Sequence, residues 1–113
     1  EEELAVRAEA MEEGYKTATL VPLSTAERCL EAMQLCQEMA DLAPPTMISD
    51  VGSGALMAHA GLKSAIYNVR INLPSISDDS FHAEVRGRLD SLLDNAATAA
   101  THVEARVEEA LEA

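Results

Sequence analysis

Tryptophan is absent from this sequence, and one phenylalanine and two tyrosines are its only aromatic residues. A core built on large rings is excluded. The interior has to come from Ala, Leu, Val, Ile and Met, which pack best between closely approaching helices. Cations are also scarce: 8 Lys and Arg stand against 20 Asp and Glu, a formal charge of −12. That balance excludes the basic patch that nucleic-acid phosphates require. It equally disfavours an anionic membrane surface. No apolar run reaches the ~20 residues of a membrane span, and no signal peptide is visible. The 113 residues fit a single domain, 1–113. The chain opens on Glu1, a residue before which an initiator Met is rarely removed, so further sequence is expected upstream.

Cysteine is nearly absent too. Cys29 and Cys36 are seven residues apart. On one helix that is roughly 10 Å of axial rise, beyond the ~7 Å that a disulfide spans. No His or basic cluster adjoins them to lower a thiol pKa. They read as reduced core thiols, which implies a reducing, cytoplasmic compartment.

What is present is helical periodicity. Leu4, Ala8, Met11, Tyr15 and Ala18 mark a first helix over about 2–20, with the acidic start Glu1-Glu2-Glu3 at its positive end. Leu23, Ala26, Leu30, Met33 and Ala40 mark a second over about 22–42. Pro22 either opens that helix or kinks a continuous one. Ala43-Pro44-Pro45 stops it. A third is expected over about 50–73, with Ser49 as N-cap and Pro74 as its end. A fourth is expected over about 78–112 with Ser77 as cap. Its stripe runs Phe81, Val85, Leu89, Leu92, Ala96, Ala99, Val103, Val107 and Leu111. At roughly 50 Å it is longer than a compact domain of this size needs, so part of its stripe is expected to meet another chain.

The third helix carries the most information. At ~100° per residue, Asp50, Gly54, Ala58, Gly61, Ala65, Asn68 and Asn72 share one narrow face. Val51, Ala55, Leu62, Ile66, Val69 and Leu73 share the next, and His59, Lys63, Tyr67 and Arg70 a third. Apolar or small over most of its circumference, this helix is expected to be central and buried. The small face admits two readings: close approach of another helix, or a ligand lying against it. Two amides on a buried stripe need partners, since an unpaired one costs on the order of 1–3 kcal/mol. A heterocyclic ligand, backbone carbonyls or a neighbouring helix would each serve. Asp50 lies roughly 27 Å from Asn68 along the axis, so only an antiparallel two-fold partner could bring the two ends together.

Other motifs carry less. Gly52-Ser53-Gly54 has no preceding strand and lacks nucleotide-binding spacing, so it reads as packing. His59, His82 and His102 have no metal-ligand spacing. His82 and His102 read as solvated, and His59 with Lys63 as a surface or a site rim. No Ser-His-Asp set is visible.

Val21-Pro22-Leu23-Ser24-Thr25-Ala26-Glu27, then Ile48-Ser49-Asp50-Val51-Gly52, then Asn68-Val69-Arg70-Ile71-Asn72-Leu73 stand in order and spacing. Together they resemble the cyclodeaminase/cyclohydrolase family over essentially the whole chain. That family includes the cyclodeaminase domain of formiminotransferase-cyclodeaminase and the bacterial methenyltetrahydrofolate cyclohydrolases of serine-cycle metabolism. The resemblance implies an all-α, dimeric enzyme fold of which this is the C-terminal half. It implies a tetrahydrofolate derivative as substrate, with no metal. The cyclodeaminases close formimino-tetrahydrofolate with loss of ammonia, and the cyclohydrolases open methenyl-tetrahydrofolate with water. Both need proton transfer, a task for a placed carboxylate. The family's acidic catalytic residue and its Pro-Gly-rich segment belong to an upstream half, so the catalytic group is expected before Glu1. The loop Ala43-Pro44-Pro45-Thr46-Met47 departs from the Gly-Asn turn of many members.

The expectations are therefore specific. The fold is an all-α bundle of long helices around a buried central helix, paired in a homodimer. The ligand-binding candidates are Ser49, Asp50, Asn68, Arg70 and Asn72. Arg70, pointing about 160–200° away from the two asparagines, is expected at a subunit boundary or in a structural role. The partners are a folate small molecule and a second copy, with neither nucleic acid nor membrane. The alternative is a non-catalytic helical module, a truncated relative serving oligomerisation or binding.

Overall fold

A computed structural model describes residues 1–113. Three long helices account for nearly all of them: α1 (Glu2–Leu42), α2 (Ile48–Asn72) and α3 (Asp79–Glu112). A single 3₁₀ turn, Leu73–Ser75, leads out of α2. There are no strands, so the fold is all-α. The molecule is a rod of 70 × 19 × 17 Å.

The first two expected helices are one. Pro22 lies inside α1, and the helix runs through it without interruption. A proline there removes the N–H that would bond the carbonyl four residues earlier. That carbonyl belongs to Ala18, and the side chain of Asn72 repairs the gap: its Nδ2 donates to Ala18 O at 3.0 Å. A break that periodicity places at residue 21 is thus mended from 54 residues away.

Both expected serine caps are displaced by one or two positions. α2 begins at Ile48 with Met47 at the cap position and no side-chain cap bond; Ser49 sits exposed in the first turn. α3 is capped by Asp78, whose Oδ1 accepts from the Phe81 N–H at 3.1 Å. Ser77 faces α1 instead. Its N–H donates to Glu12 Oε1 at 2.9 Å, its hydroxyl to Oε2 at 3.2 Å, and the Asp78 N–H also donates to that Oε2 at 3.1 Å. Lys16 completes this clamp with a 2.9 Å ion pair to Asp78. These bonds hold the Glu12 carboxyl below its ordinary pKa, the Ser77 N–H contributing most. The Lys16 ammonium, ahead of Ser80 and Phe81, holds Asp78 well below the usual carboxylate range.

The main core joins Leu23, Ala26 and Met33 of α1 to Leu62, Ile66 and Val69 of α2 and Val85, Leu89 and Leu92 of α3. A smaller cluster, Ala40, Ile48, Ala55 and Val103, closes the far end. The α3 stripe is buried from Val85 to Val103, Phe81 and Val107 are half-buried, and Leu111 is exposed. On α1 the stripe begins late: Leu4 and Met11 are exposed, because α1 overshoots the turn that Glu12 clamps. His82 and His102 are not freely solvated. The His82 ring nitrogen lies 2.7 Å from Ile76 O, and that of His102 lies 2.8 Å from Asp41.

Candidate functional site

α2 packs on α1 through the small face that the sequence displays. Cys29 and Cys36 of α1 meet Gly61 and Gly54 of α2 in antiparallel order. A Cβ on Gly61 would stand 3.1 Å from Cys29 Sγ, and one on Gly54 would stand 3.4 Å from Cys36 Sγ. Both thiols are free and half-buried. This half of the small face serves close approach: at Gly61 a Cβ would press on the Cys29 thiol, and at Gly54 it would just reach contact with Cys36. Gly52 does the same toward α3, where a Cβ would meet Val107 Cγ2 at 2.8 Å. The Gly52-Ser53-Gly54 stretch is packing.

The other half of the small face is open. Beyond Gly61 the two helices leave a groove with a cavity volume of about 420 Å³. α1 contributes Ala18, Val21, Pro22 and Thr25; α2 contributes Gly61, Ser64, Ala65, Asn68 and Asn72. Two of the sequence segments that carry the family resemblance, Val21–Glu27 and Asn68–Leu73, therefore face each other across one groove. Pro22 shapes it by lacking an N–H, and Asn72 braces it through Ala18.

The asparagines differ from expectation in burial and partners. Asn68 is exposed and donates to Ser64 O of its own helix at 3.1 Å. Asn72 is half-buried and spends its donor on Ala18. No buried side-chain polar atom lacks a hydrogen-bond partner. The α1 wall of the groove was missed because no local pattern in residues 18–25 announces a facing helix. Pro22 was the available signal.

Arg70 lies on the other side of α2, as its helical angle requires. It lines a furrow between α2 and α3 with Arg86, Asp90, Leu89, Leu93 and Leu73, of about 600 Å³. Neither Arg70 nor Arg86 is in an ion pair, whereas Lys16, Arg28, Arg88 and Arg106 all are. Arg86 had no sequence signal, being one polar position on the outer side of a long stripe.

Further along the same side, Gly52, Leu56 and His59 line a recess against Ala100, Glu104 and Val107. Burial, then the neighbouring Lys63 charge, holds the His59 imidazole below its ordinary pKa.

Ser49 and Asp50 are exposed at the N-terminus of α2; Asp50 lies 18 residues before Asn68 and about 27 Å from it. The structure brings Asn68 and Asn72 together and separates both from Ser49, Asp50 and Arg70. No group of three His, Cys, Asp or Glu side chains is placed to hold a metal ion. No helix is long and apolar enough to cross a membrane.

Residues 1–91 match the family profile described as formiminotransferase-cyclodeaminase. A methenyltetrahydrofolate cyclohydrolase of Methylorubrum extorquens is 40% identical over 93 residues, which covers 82% of this chain and 45% of that protein. The formimidoyltransferase-cyclodeaminases of Sus scrofa and Rattus norvegicus are 39% and 36% identical over 102 and 94 residues, covering 90% and 83% of this chain. The chain spans under half of the first relative and 19% and 17% of the other two. The matched profile takes in α1, α2 and the start of α3, and with them the whole groove between Pro22 and Asn72; the chain belongs to the formiminotransferase-cyclodeaminase family.

Proposed function

We propose that this chain furnishes a folate-binding wall of a one-carbon enzyme, of methenyltetrahydrofolate cyclohydrolase or formiminotetrahydrofolate cyclodeaminase type. It acts as the C-terminal part of that enzyme, one helical unit over residues 1–113. The supporting observation is the groove itself, on which residues of two family motifs converge. Its floor is small and apolar, suited to a flat heterocycle. Asn68 Oδ1 at its rim accepts no bond within the chain and is available to a ring N–H.

In the same reading α2 is the central helix of a larger assembly, and the protein is a cytoplasmic dimer. Support comes from the face of α2 turned away from α1 and α3. Leu56, Met57, Tyr67 and Ile71 are 72%, 74%, 66% and 74% exposed there. A soluble helix rarely leaves so much contiguous apolar surface uncovered.

One observation favours the alternative of a non-catalytic helical module. None of the nine residues lining the groove carries a titratable side chain, so the groove alone holds no group for proton transfer.

Titration of the full chain with 5-formyltetrahydrofolate, a stable one-carbon folate, tests the binding role. Saturable binding is expected, weakened about tenfold by Asn68→Leu, the cost of one lost polar contact. A chain that binds no folate, with its helical signal intact, refutes the proposal and leaves the module reading.

A further inference from the structure

We propose that the furrow between α2 and α3 is a second ligand site, separate from the groove, and that it takes an aliphatic α-amino acid. The carboxylate lies between Arg70 and Arg86, the ammonium meets Asp90, and the side chain rests on the apolar floor. The site does not depend on the folate reading.

The cations come first. Lys16, Arg28, Arg88 and Arg106 are all held in ion pairs. Arg70 of α2 and Arg86 of α3 are not, although the chain has 20 acidic residues to pair them with. These two line one furrow of about 600 Å³. Lys63, two turns before Arg70 on the same face of α2, lies outside the lining. Two forked guanidiniums presented from separate helices match the two oxygens of a carboxylate.

The rest of the lining decides the ligand. Asp90 stands one turn after Arg86 on α3, a spacing at which the two side chains can reach each other. They form no ion pair. Asp90 therefore offers an anion beside the two cations, about 6 Å further along the furrow. A phosphate or a dicarboxylate would meet that carboxylate as a repulsion. It would also enter against the −12 charge of the whole chain. An α-amino acid carries its two charges on adjacent groups and has no net charge. It satisfies all three side chains and escapes the field. Beneath them Ile66, Leu73 and Leu89 are buried, and Leu93 is 39% exposed at the edge. That floor suits a branched aliphatic side chain, which gains by covering it.

Titration of the full chain with L-leucine, followed by backbone amide NMR shifts, tests this. Isocaproate lacks the ammonium, isoamylamine lacks the carboxylate, and inorganic phosphate lacks both the ammonium and the apolar body. Saturable millimolar binding of leucine is expected, with shifts at the end of α2 and the start of α3. Arg70→Gln, Arg86→Gln and Asp90→Asn should each weaken it about tenfold. All three residues are exposed, so the helical signal should be unchanged. Absence of saturable leucine binding overturns the proposal. So does isocaproate, isoamylamine or phosphate binding as tightly as leucine, because the furrow would then read one charge alone. Leucine displaced by 5-formyltetrahydrofolate sits in the groove, which overturns it as well. Leucine bound by a chain that binds no folate supports the furrow site and refutes only the folate proposal.

Discussion

Replacing Asn72 by Leu removes the donor that serves the Ala18 carbonyl, and Pro22 ensures that nothing in α1 takes its place. A typical intramolecular hydrogen bond contributes about 0.5–1.5 kcal/mol, and an orphaned buried carbonyl costs about 1–3 kcal/mol. Asn72 is half-buried, so water reaches part of the vacated site. The expected loss is therefore near the low end, about 1 kcal/mol, or roughly 4 °C in Tm at this chain length. The informative measurement is the same substitution in a Pro22→Ala background. An alanine at 22 restores the N–H, and α1 can satisfy Ala18 by itself. Asn72→Leu should then cost less by about 0.5–1 kcal/mol, the size of coupling seen between groups that share a partner. Urea unfolding of the four proteins, at constant m-value, measures that coupling. Equal cost in both backgrounds refutes the assignment of Asn72 as the substitute donor. It would also return its amide to the ligand reading, in which Asn72→Leu weakens folate binding rather than stability.

Two other outcomes follow from the packing and the clamp. Gly87 has nothing within 4 Å of an added Cβ, so Gly87→Ala should stabilise by about 0.5–1 kcal/mol through helix propensity; Gly52→Ala, aimed at Val107 at 2.8 Å, should lose that gain, and thermal melts of the pair compare them directly. The folded pKa values of Glu12 and Asp78 are depressed, so their contribution is complete above the ordinary carboxylate range and disappears as pH falls through it toward the depressed values. Urea midpoints taken from pH 7 to pH 3 should fall more steeply for the parent than for Asp78→Asn, and parallel curves would show that the clamp contributes nothing.

The all-α class, the α3 stripe and the α2 apolar face were legible because each rests on periodicity within a single segment. Val85, Leu89, Leu92, Ala96, Ala99 and Val103 are buried as their spacing requires. The caps were legible only to the neighbourhood. Ser77 and Asp78 are adjacent and chemically equivalent as caps, and the choice was settled by Glu12, which bonds both backbone N–H groups from another helix. Pro22 was legible as a breaker but not as a mended one, because the mend comes from Asn72, outside any local window. The groove was half legible. Its α2 wall stands on one helical face, while its α1 wall depends on how two helices meet. Arg86 beside Arg70 was beyond reach for the same reason.

Polar attachments near both of its ends turn α1 into a ruler. Near one end Glu12 and Lys16 grip Ser77 and Asp78; near the other Asp41 receives Arg106 at 2.9 Å and His102 at 2.8 Å. Both grips must fall on the correct side of a single uninterrupted helix. One residue inserted between Lys16 and Asp41 rotates one grip against the other by about 100° and shifts it about 1.5 Å. Seven inserted residues would nearly restore the phase yet lengthen the helix by roughly 10 Å. A residue inserted between Lys16 and Asp41 is thus expected to break one grip or the other. One inserted at Ala43–Met47, the turn between α1 and α2, lengthens the chain without turning one grip against the other.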